Sequence, residues 1–345
     1  MEFFKHPTRP IEIKKDLDFD DFLLNLRFTG FQGRSLGKAF EIWEQMIRED
    51  RIFIMMGLSG ALIPAGMRKV IVYLIEKRFI DCIVTTGANI FHDIVEAFGK
   101  HHYLGSPYID DAILLKHGID RIYDIYAKEE EFIEVDKFIA DTAKYLKGET
   151  MGTREYLWFL ANKIRESTGD RGVKDSFVLK AQEMKIPIYC PAISDSSIGI
   201  GLTHAFKNGV HVSIDTIKDT YELGTLVHQS DKTGVIFLGG GVPKNYIQQT
   251  RVITAHWGGS EGHTYAIQFT TDSPHHGGLS GATFEEAISW GKITPHGKSV
   301  QVFVDATIAL PLIAYGLEKR CAKKGYRENF PSFKWGSDKA TIMWE

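Results

Sequence analysis

The chain has 345 residues, 43% apolar and 25% charged, the make-up of a globular protein long enough to bury a large core. A net charge of -3 gives no basis for a nucleic-acid or membrane surface, and no apolar run is long enough to span a bilayer. Cys82, Cys190 and Cys321 form no Cys-x-x-Cys pair, so no zinc ribbon or disulfide framework is suggested, which fits a reducing, cytoplasmic setting.

The stretch Met1 to Pro7 holds no apolar signal core, and residues 1–20 read as an extended arm broken by Pro7 and Pro10. Helices are predicted over Asp20 to Leu26 and Leu36 to Ile47, joined by a loop from Phe28 to Arg34 that contains Gly30 and Gly33. Arg51 to Met56 reads as a buried strand. It enters a turn of small residues from Gly57 to Gly66, and a helix continues to about Glu76.

The same unit repeats: strand Ile80 to Val84, turn Thr85 to Asn89, helix Ile90 to Phe98. Two strand–turn–helix units in succession predict a Rossmann-like α/β fold, a mostly parallel central sheet with helices on both faces. Ligands on such sheets sit at the carboxyl ends of the strands, where these turns lie. His101 and His102 have no partner at metal-ligand spacing.

Residues 100–178 are more irregular and charged, with helices predicted over Glu129 to Leu146 and Thr153 to Glu166. The polar loop Ser167 to Gly172 suits insertion or mobility rather than a domain boundary, and a helix follows over Ser176 to Met184. The strand Ile186 to Cys190 ends in a polar turn containing Asp195, which would accept from a ribose or, as the simpler reading, cap the next helix.

Val235 to Leu238 is a very apolar strand ending in Gly239-Gly240-Gly241, where a bound ligand is the preferred cause of three costly glycines, against a merely tight turn. Tyr265 to Phe269 ends in Thr270-Thr271-Asp272, before the pair His275-His276, whose surroundings do not read as a metal site. A glycine loop opens at Gly277-Gly278. Thr283 and Glu286 have capping-box spacing for a helix from about Phe284, and Gly291 suits a left-handed stop.

Lys292 follows that stop. One reading is a solvated lysine near a helix C-terminus; the other is an amine nucleophile held neutral by desolvation, with Trp290 as an apolar wall or a ring face for a cation. The strand Val300 to Val304 then leads to Asp305-Ala306, a helix Ile308 to Lys319, and a basic, aromatic tail. Six strand ends rich in small or polar residues describe one rim suited to a dinucleotide.

Six segments carry a family resemblance: Phe28-Thr29-Gly30-Phe31-Gln32, Val84-Thr85-Thr86-Gly87, Pro191-Ala192-x-x-Asp195, Leu238-Gly239-Gly240-Gly241-Val242-x-Lys244, Glu286 to Ile293 and Val304-Asp305-Ala306. Their order over about residues 20 to 320 resembles deoxyhypusine synthase, and Ser289-Trp290-Gly291-Lys292-Ile293 is the most specific. The resemblance implies NAD as cofactor and a polyamine such as spermidine as substrate. A four-carbon aminobutyl unit is carried as an imine on Lys292, and the retained NADH then reduces the product.

It also implies polyamine contacts at Glu286, Trp290, Asn245, Gly277 and Gly278. NAD contacts are implied at Gly60, Ala61, Leu62, Ile63, Pro64, Thr86, Gly87, Ala88, His92, Asp195, Gly240, Thr271, Asp272, Asp305 and Ala306. No metal is implied, and a homotetramer is. The chain is expected to form a single domain over 1–345, with an N-terminal arm at 1–19 and a tail at 322–345.

This sequence departs from the family at the anionic positions. Ile200 and Leu279 replace two aspartates, Phe91 and His92 replace adjacent glutamates, and Asn245 replaces a histidine. Fewer carboxylates means weaker attraction for a multiply charged amine. The departures put spermidine as donor and a protein lysine as acceptor in question. They leave open a less charged donor, transfer to a free diamine such as putrescine as in homospermidine synthases, or a non-catalytic NAD-binding protein.

Overall fold

The structure is a computed structural model that describes residues 4–169, 174–259, 262–336 and 340–344. Residues 1–3 of the arm, 170–172 of the polar loop and Glu345 lie outside the described residues.

The central sheet has six strands: β1 (Ile52–Leu58), β2 (Cys82–Thr85), β3 (Ile188–Tyr189), β4 (Lys232–Leu238), β5 (His263–Thr270) and β6 (Ile293–Phe303). Numbered this way, their order across the sheet is 3-2-1-4-5-6, that of dinucleotide-binding sheets. The β4–β5, β5–β6 and β2–β3 ladders run parallel, with Ile267 opposite Ile236 and Val300, and Ile83 opposite Ile188. All seven residues of β1 and six of the seven in β4 are buried, as expected of parallel strands covered on both faces. Among the described residues no helix is long and apolar enough to cross a membrane.

The chain divides into two compact units, neither continuous in sequence. The first comprises 1–57, 77–82 and 223–345. Its core includes Phe40, Trp43 and Met46 of the helix Phe31–Arg48, with Phe53 of β1, Phe237 of β4 and Phe269 of β5, all fully buried. That helix corrects the loop expected over Phe28 to Arg34, since residues 31–34 already form its first turn behind Gly30. The strand and helix expected near the C-terminus are both longer, β6 from Ile293 and the helix Ala306–Lys324.

The described residues of the tail form regular structure. Pro331–Trp335 and Ala340–Trp344 pair as an antiparallel hairpin, and Phe333 packs edge-on against Phe53 at 5.7 Å. Arg327 bonds the buried carboxylate of Asp81 at 2.8 Å and the Ile52 carbonyl at 2.6 Å. Pattern reading passes over this segment because its contacts are all distant in sequence.

The second unit comprises 58–76 and 83–222. Here the turn expected over Thr85 to Asn89 is shorter, because the helix Gly87–Ala97 takes in Gly87, Ala88 and Asn89 behind the cap Thr86. The irregular region also holds a small antiparallel sheet of Tyr103–Leu104, Ile125–Lys128 and Ile119–Ile122. The cap expected of Asp195 is corrected: Ser196 occupies the N-cap position of Ser197–Lys207, and Asp195 is exposed one residue earlier.

Candidate active site

In the first unit the helix Phe284–Ser289 delivers Lys292. Thr283 Oγ1 accepts from the Glu286 amide at 3.1 Å, Gly291 adopts φ 66°, and the Lys292 amide bonds the Ala287 carbonyl at 3.0 Å. The lysine thus leaves a rigid stop. It is partly buried, and Nζ donates to Asn245 Oδ1 at 3.0 Å, with the Trp290 ring centroid 5.2 Å away. Trp290 itself is 63% exposed, so its indole meets the ammonium without enclosing it.

Burial holds the Lys292 amine below the usual lysine range, against the opposing pull of the Glu286 carboxylate. Asn245 is a neutral acceptor, so it orients the amine without adding the charge that would keep it protonated.

A second lysine stands beside it that sequence reading left in a motif without a role. Lys244 is 1% exposed and donates to Gln268 Oε1 at 2.9 Å and the Ala282 carbonyl at 2.6 Å. Burial pushes its pKa down to about 8, with repulsion from Lys292 in the same direction and Glu286 opposing. The available signal was a lysine three residues after the last of the strand-end glycines, on the first turn of a helix.

Gln268 organises the rest. Its Nε2 donates to the carbonyls of Gly239 at 2.9 Å and Ser280 at 2.8 Å, while its Oε1 also accepts from Gln301 at 2.7 Å. Ser280 Oγ accepts from the Gly241 amide at 3.0 Å. The glycine loop is thereby tied to the end of β4. A Cβ on Gly240 would lie 2.3 Å from Ser280 Cα, so close approach of the chain itself, not a ligand, requires glycine there.

Of the other predicted positions in this unit, Glu286, Gly277, Gly278, Thr271 and Asp272 are exposed. Asp305 is occupied as a helix cap, accepting from the Thr307 amide at 2.7 Å, with Ala306 the first helical residue.

The second unit holds the remaining predicted positions. Thr86 Oγ1 donates to the Gly60 carbonyl at 2.7 Å, and Asn89 Oδ1 accepts from the Leu62 amide at 2.8 Å and the Ile63 amide at 3.3 Å. Asn89 therefore locks the turn Gly60 to Pro64, a role sequence reading missed. Gly87 is pressed against the turn after Asp195, where a Cβ would meet Ser196 Oγ at 2.2 Å. His92 is buried and bonded through Nδ1 to His102 Nε2 at 3.0 Å.

Neither histidine pair belongs to a metal-capable group among the described residues. The acids Asp18, Asp20 and Asp21 do converge, but Lys323 and Arg320 hold them.

The chain is 49% identical to probable deoxyhypusine synthase 2 of Methanosarcina mazei over 335 residues, 96% of this chain and 95% of that one. It is 54% identical to the Archaeoglobus fulgidus protein of the same name, over 84% of this chain and 94% of the other. A deoxyhypusine synthase-like protein of Chlorobaculum parvum is 40% identical, over 92% and 91% of the respective chains. A crystal structure from Entamoeba histolytica described as a deoxyhypusine synthase shares the fold, with a TM-score of 0.60 at 18% identity over 88% of this chain and 93% of that one. The family model "Deoxyhypusine synthase" matches residues 21–317. On these matches the chain belongs to the deoxyhypusine synthase family, whose members' activity is aminobutyl transfer.

Proposed function

We propose that this protein moves an amine-bearing alkyl unit by way of an imine on Lys292, with NAD as its cofactor. The observation that carries the reading is the setting of Lys292 Nζ: partly buried, depressed in pKa, and bonded to the neutral oxygen of Asn245 at 3.0 Å. An amine attacks only through its lone pair, so a lysine relieved of its proton is the chemical requirement.

In this reading Nζ attacks the carbon of a substrate imine. One Nζ proton passes to the departing nitrogen, and the carbon stays bound to Lys292 until an acceptor amine takes it. Glu286, exposed on the same helix, receives an ammonium end of the substrate as a charge-assisted bond, and the Trp290 face receives its cationic chain. Lys244 holds the glycine loop in place through the Ala282 carbonyl, next to Asn245 in sequence.

NAD would supply the hydride acceptor and later the hydride donor. The backbone is open to it at Gly60 and Gly241, both at positive φ with free space where a side chain would stand. The bare turn at Gly60, beside Thr86, Gly87 and Ala88 at a helix N-terminus, suits a phosphate; His92, Asp195, Gly240, Thr271, Asp272, Asp305 and Ala306 enter the proposal on the family resemblance. A polyamine or other small amine as substrate, self-association as a homotetramer and a cytoplasmic setting complete the proposal.

The test is chemical. Full-length protein is incubated with NAD and spermidine, putrescine or related amines, reduced with borohydride and digested. A mass increment on the Lys292 peptide, dependent on NAD, is expected. No increment with any amine of the panel overturns the proposal.

A further inference from the structure

The first unit surrounds Lys292 with more positive charge than negative. Lys292 repels the ammonium of Lys244, and Glu286 is the carboxylate that acts on both amines. Asp272, exposed at the end of β5, and Glu285, exposed on the helix Phe284–Ser289, act on neither lysine. Asp305 is taken up by the Thr307 amide at 2.7 Å and the Thr307 hydroxyl at 2.6 Å. The neutral acceptors are also in use, Asn245 Oδ1 by Lys292, and Gln268 Oε1 and the Ala282 carbonyl by Lys244.

What this corner offers instead is exposed apolar surface. Trp290, Leu279 and Val242 are 63%, 48% and 47% exposed. The Trp290 ring centroid lies 5.2 Å from Lys292 Nζ. Val242 and Asn245 stand three residues apart in the first turn of the helix Gly241–His256, on one face of it. Leu279 adjoins Ser280, whose Oγ accepts from the Gly241 amide at 3.0 Å. Apolar side chains left exposed around a reactive amine suit the methylenes of an alkyl chain. All of these residues belong to the first unit.

We propose that the donor is a linear diamine of the putrescine type, with one cation beyond the reacting end, and that a triamine such as spermidine is disfavoured. This rests on the amine-transfer reading above and names its substrate class. The remote ammonium of such a diamine meets Glu286, and its methylenes lie along Trp290, Leu279 and Val242. Spermidine brings a further ammonium on the arm that leaves. In this unit that charge meets two lysines and no spare carboxylate, and an ammonium desolvated without a partner is costly.

The exchange at Lys292 then releases ammonia. The nitrogen of the substrate iminium carries two hydrogens and takes a third from Nζ as its bond to carbon breaks. The new bond joins that carbon to Nζ, and the positive charge stays on the Lys292 iminium. Nothing is oxidised or reduced in this exchange.

Calorimetric titration of the full-length protein, saturated with NADH so that no hydride can leave the amine, reads the preference without turnover. A net charge of -3 by itself draws the more cationic amine, so unspecific binding favours spermidine. Putrescine is expected to bind at least about tenfold more tightly than spermidine at low ionic strength, roughly the worth of one charge-assisted bond. An advantage below about threefold, or no putrescine binding, overturns the proposal. Leu279→Asp should tighten spermidine about tenfold and leave putrescine within about twofold, and Glu286→Gln should weaken putrescine about tenfold. Spermidine unchanged in the first variant, or putrescine unchanged in the second, overturns it as well.

Borohydride trapping with NAD and an equimolar mixture of deuterated putrescine and unlabelled spermidine separates this inference from the reading it rests on. Both donors place the same aminobutyl unit on Lys292, so the label reports which one was used. A mostly labelled adduct is expected. A mostly unlabelled adduct removes the donor assignment and leaves the transfer chemistry standing. Tighter putrescine binding with no adduct on Lys292 removes the transfer chemistry alone.

Discussion

The surroundings of Lys292 in the first unit and of His92 in the second bury charge in opposite ways. Around Lys292 and Lys244 in the first, the direct partners are amide and carbonyl oxygens: Asn245, Gln268 and Ala282. Around His92 and His102 in the second, the chain runs on to a carboxylate and a guanidinium, Glu96 and Arg68, and then to Asp93, whose oxygens are taken by the amides of Phe177 and Val178 at 3.1 Å. Neutral acceptors leave a buried ammonium costly and push the amine toward its free base. In the ion network the charges of Arg68, Glu96 and Asp93 meet one another, and burial holds the neighbouring His92 well below the usual imidazole range. The difference puts the depressed amine, and with it the proposed nucleophile, in the first unit.

The strongest way to break that comparison is to remove the nucleophile. Lys292→Ala should abolish the borohydride-trapped adduct and lower turnover by at least about a thousandfold. Wild-type turnover in this variant would falsify the assignment.

Next in size is the buried charge of Lys244. Below pH 8 both folded and unfolded chains carry its proton, and the folded state bears the full cost of burial. As pH rises through about 8 toward the ordinary lysine range, the folded lysine releases its proton first and the cost falls. Stability measured against Lys244→Met should therefore rise by up to about 3 kcal/mol over that window. A flat difference in urea unfolding between pH 7.5 and 10 would show that the amine is not desolvated.

A smaller effect sharpens the question of which unit reads substrate charge. Ile200 and Leu279 are 49% and 48% exposed, so an aspartate at either costs little stability. Ile200→Asp in the second unit and Leu279→Asp in the first should each lower the KM for spermidine by roughly tenfold, about the worth of one charge-assisted bond. No gain at either position counts against reading them as lost amine contacts. The smallest effect is Thr283→Ala, which removes the cap at 3.1 Å and should cost about 1 kcal/mol in thermal or urea unfolding. A cost near zero would mean that the Lys292 stop is held by tertiary contacts alone.

Much of this was legible before any coordinates. The apolar runs of β1 and β4, the Thr283 cap and the left-handed Gly291 all follow from local rules, although β1 runs on through Gly57 and Leu58, β4 begins three residues early and Gly241 is already helical. Misreadings fell where local rules tie. Gly30 and Gly33 suggested a loop that is the start of a helix, and Asp195 suggested a cap that falls to Ser196. The tail offered no periodic face, since Arg327 and Phe333 are fixed by Asp81 and Phe53, far off in the chain.

The sequence by itself determined the alternation of strand, turn and helix, the family, and the lysine on which the proposed chemistry turns, because spacing and short motifs act within a few residues. Tertiary structure alone decided that Lys244 is buried beside Lys292, that Gly240 yields to Ser280 rather than to a ligand, and that His92 leans on His102 and Glu96. Desolvation and hydrogen-bond direction depend on what surrounds an atom in space, and no spacing along a chain records that.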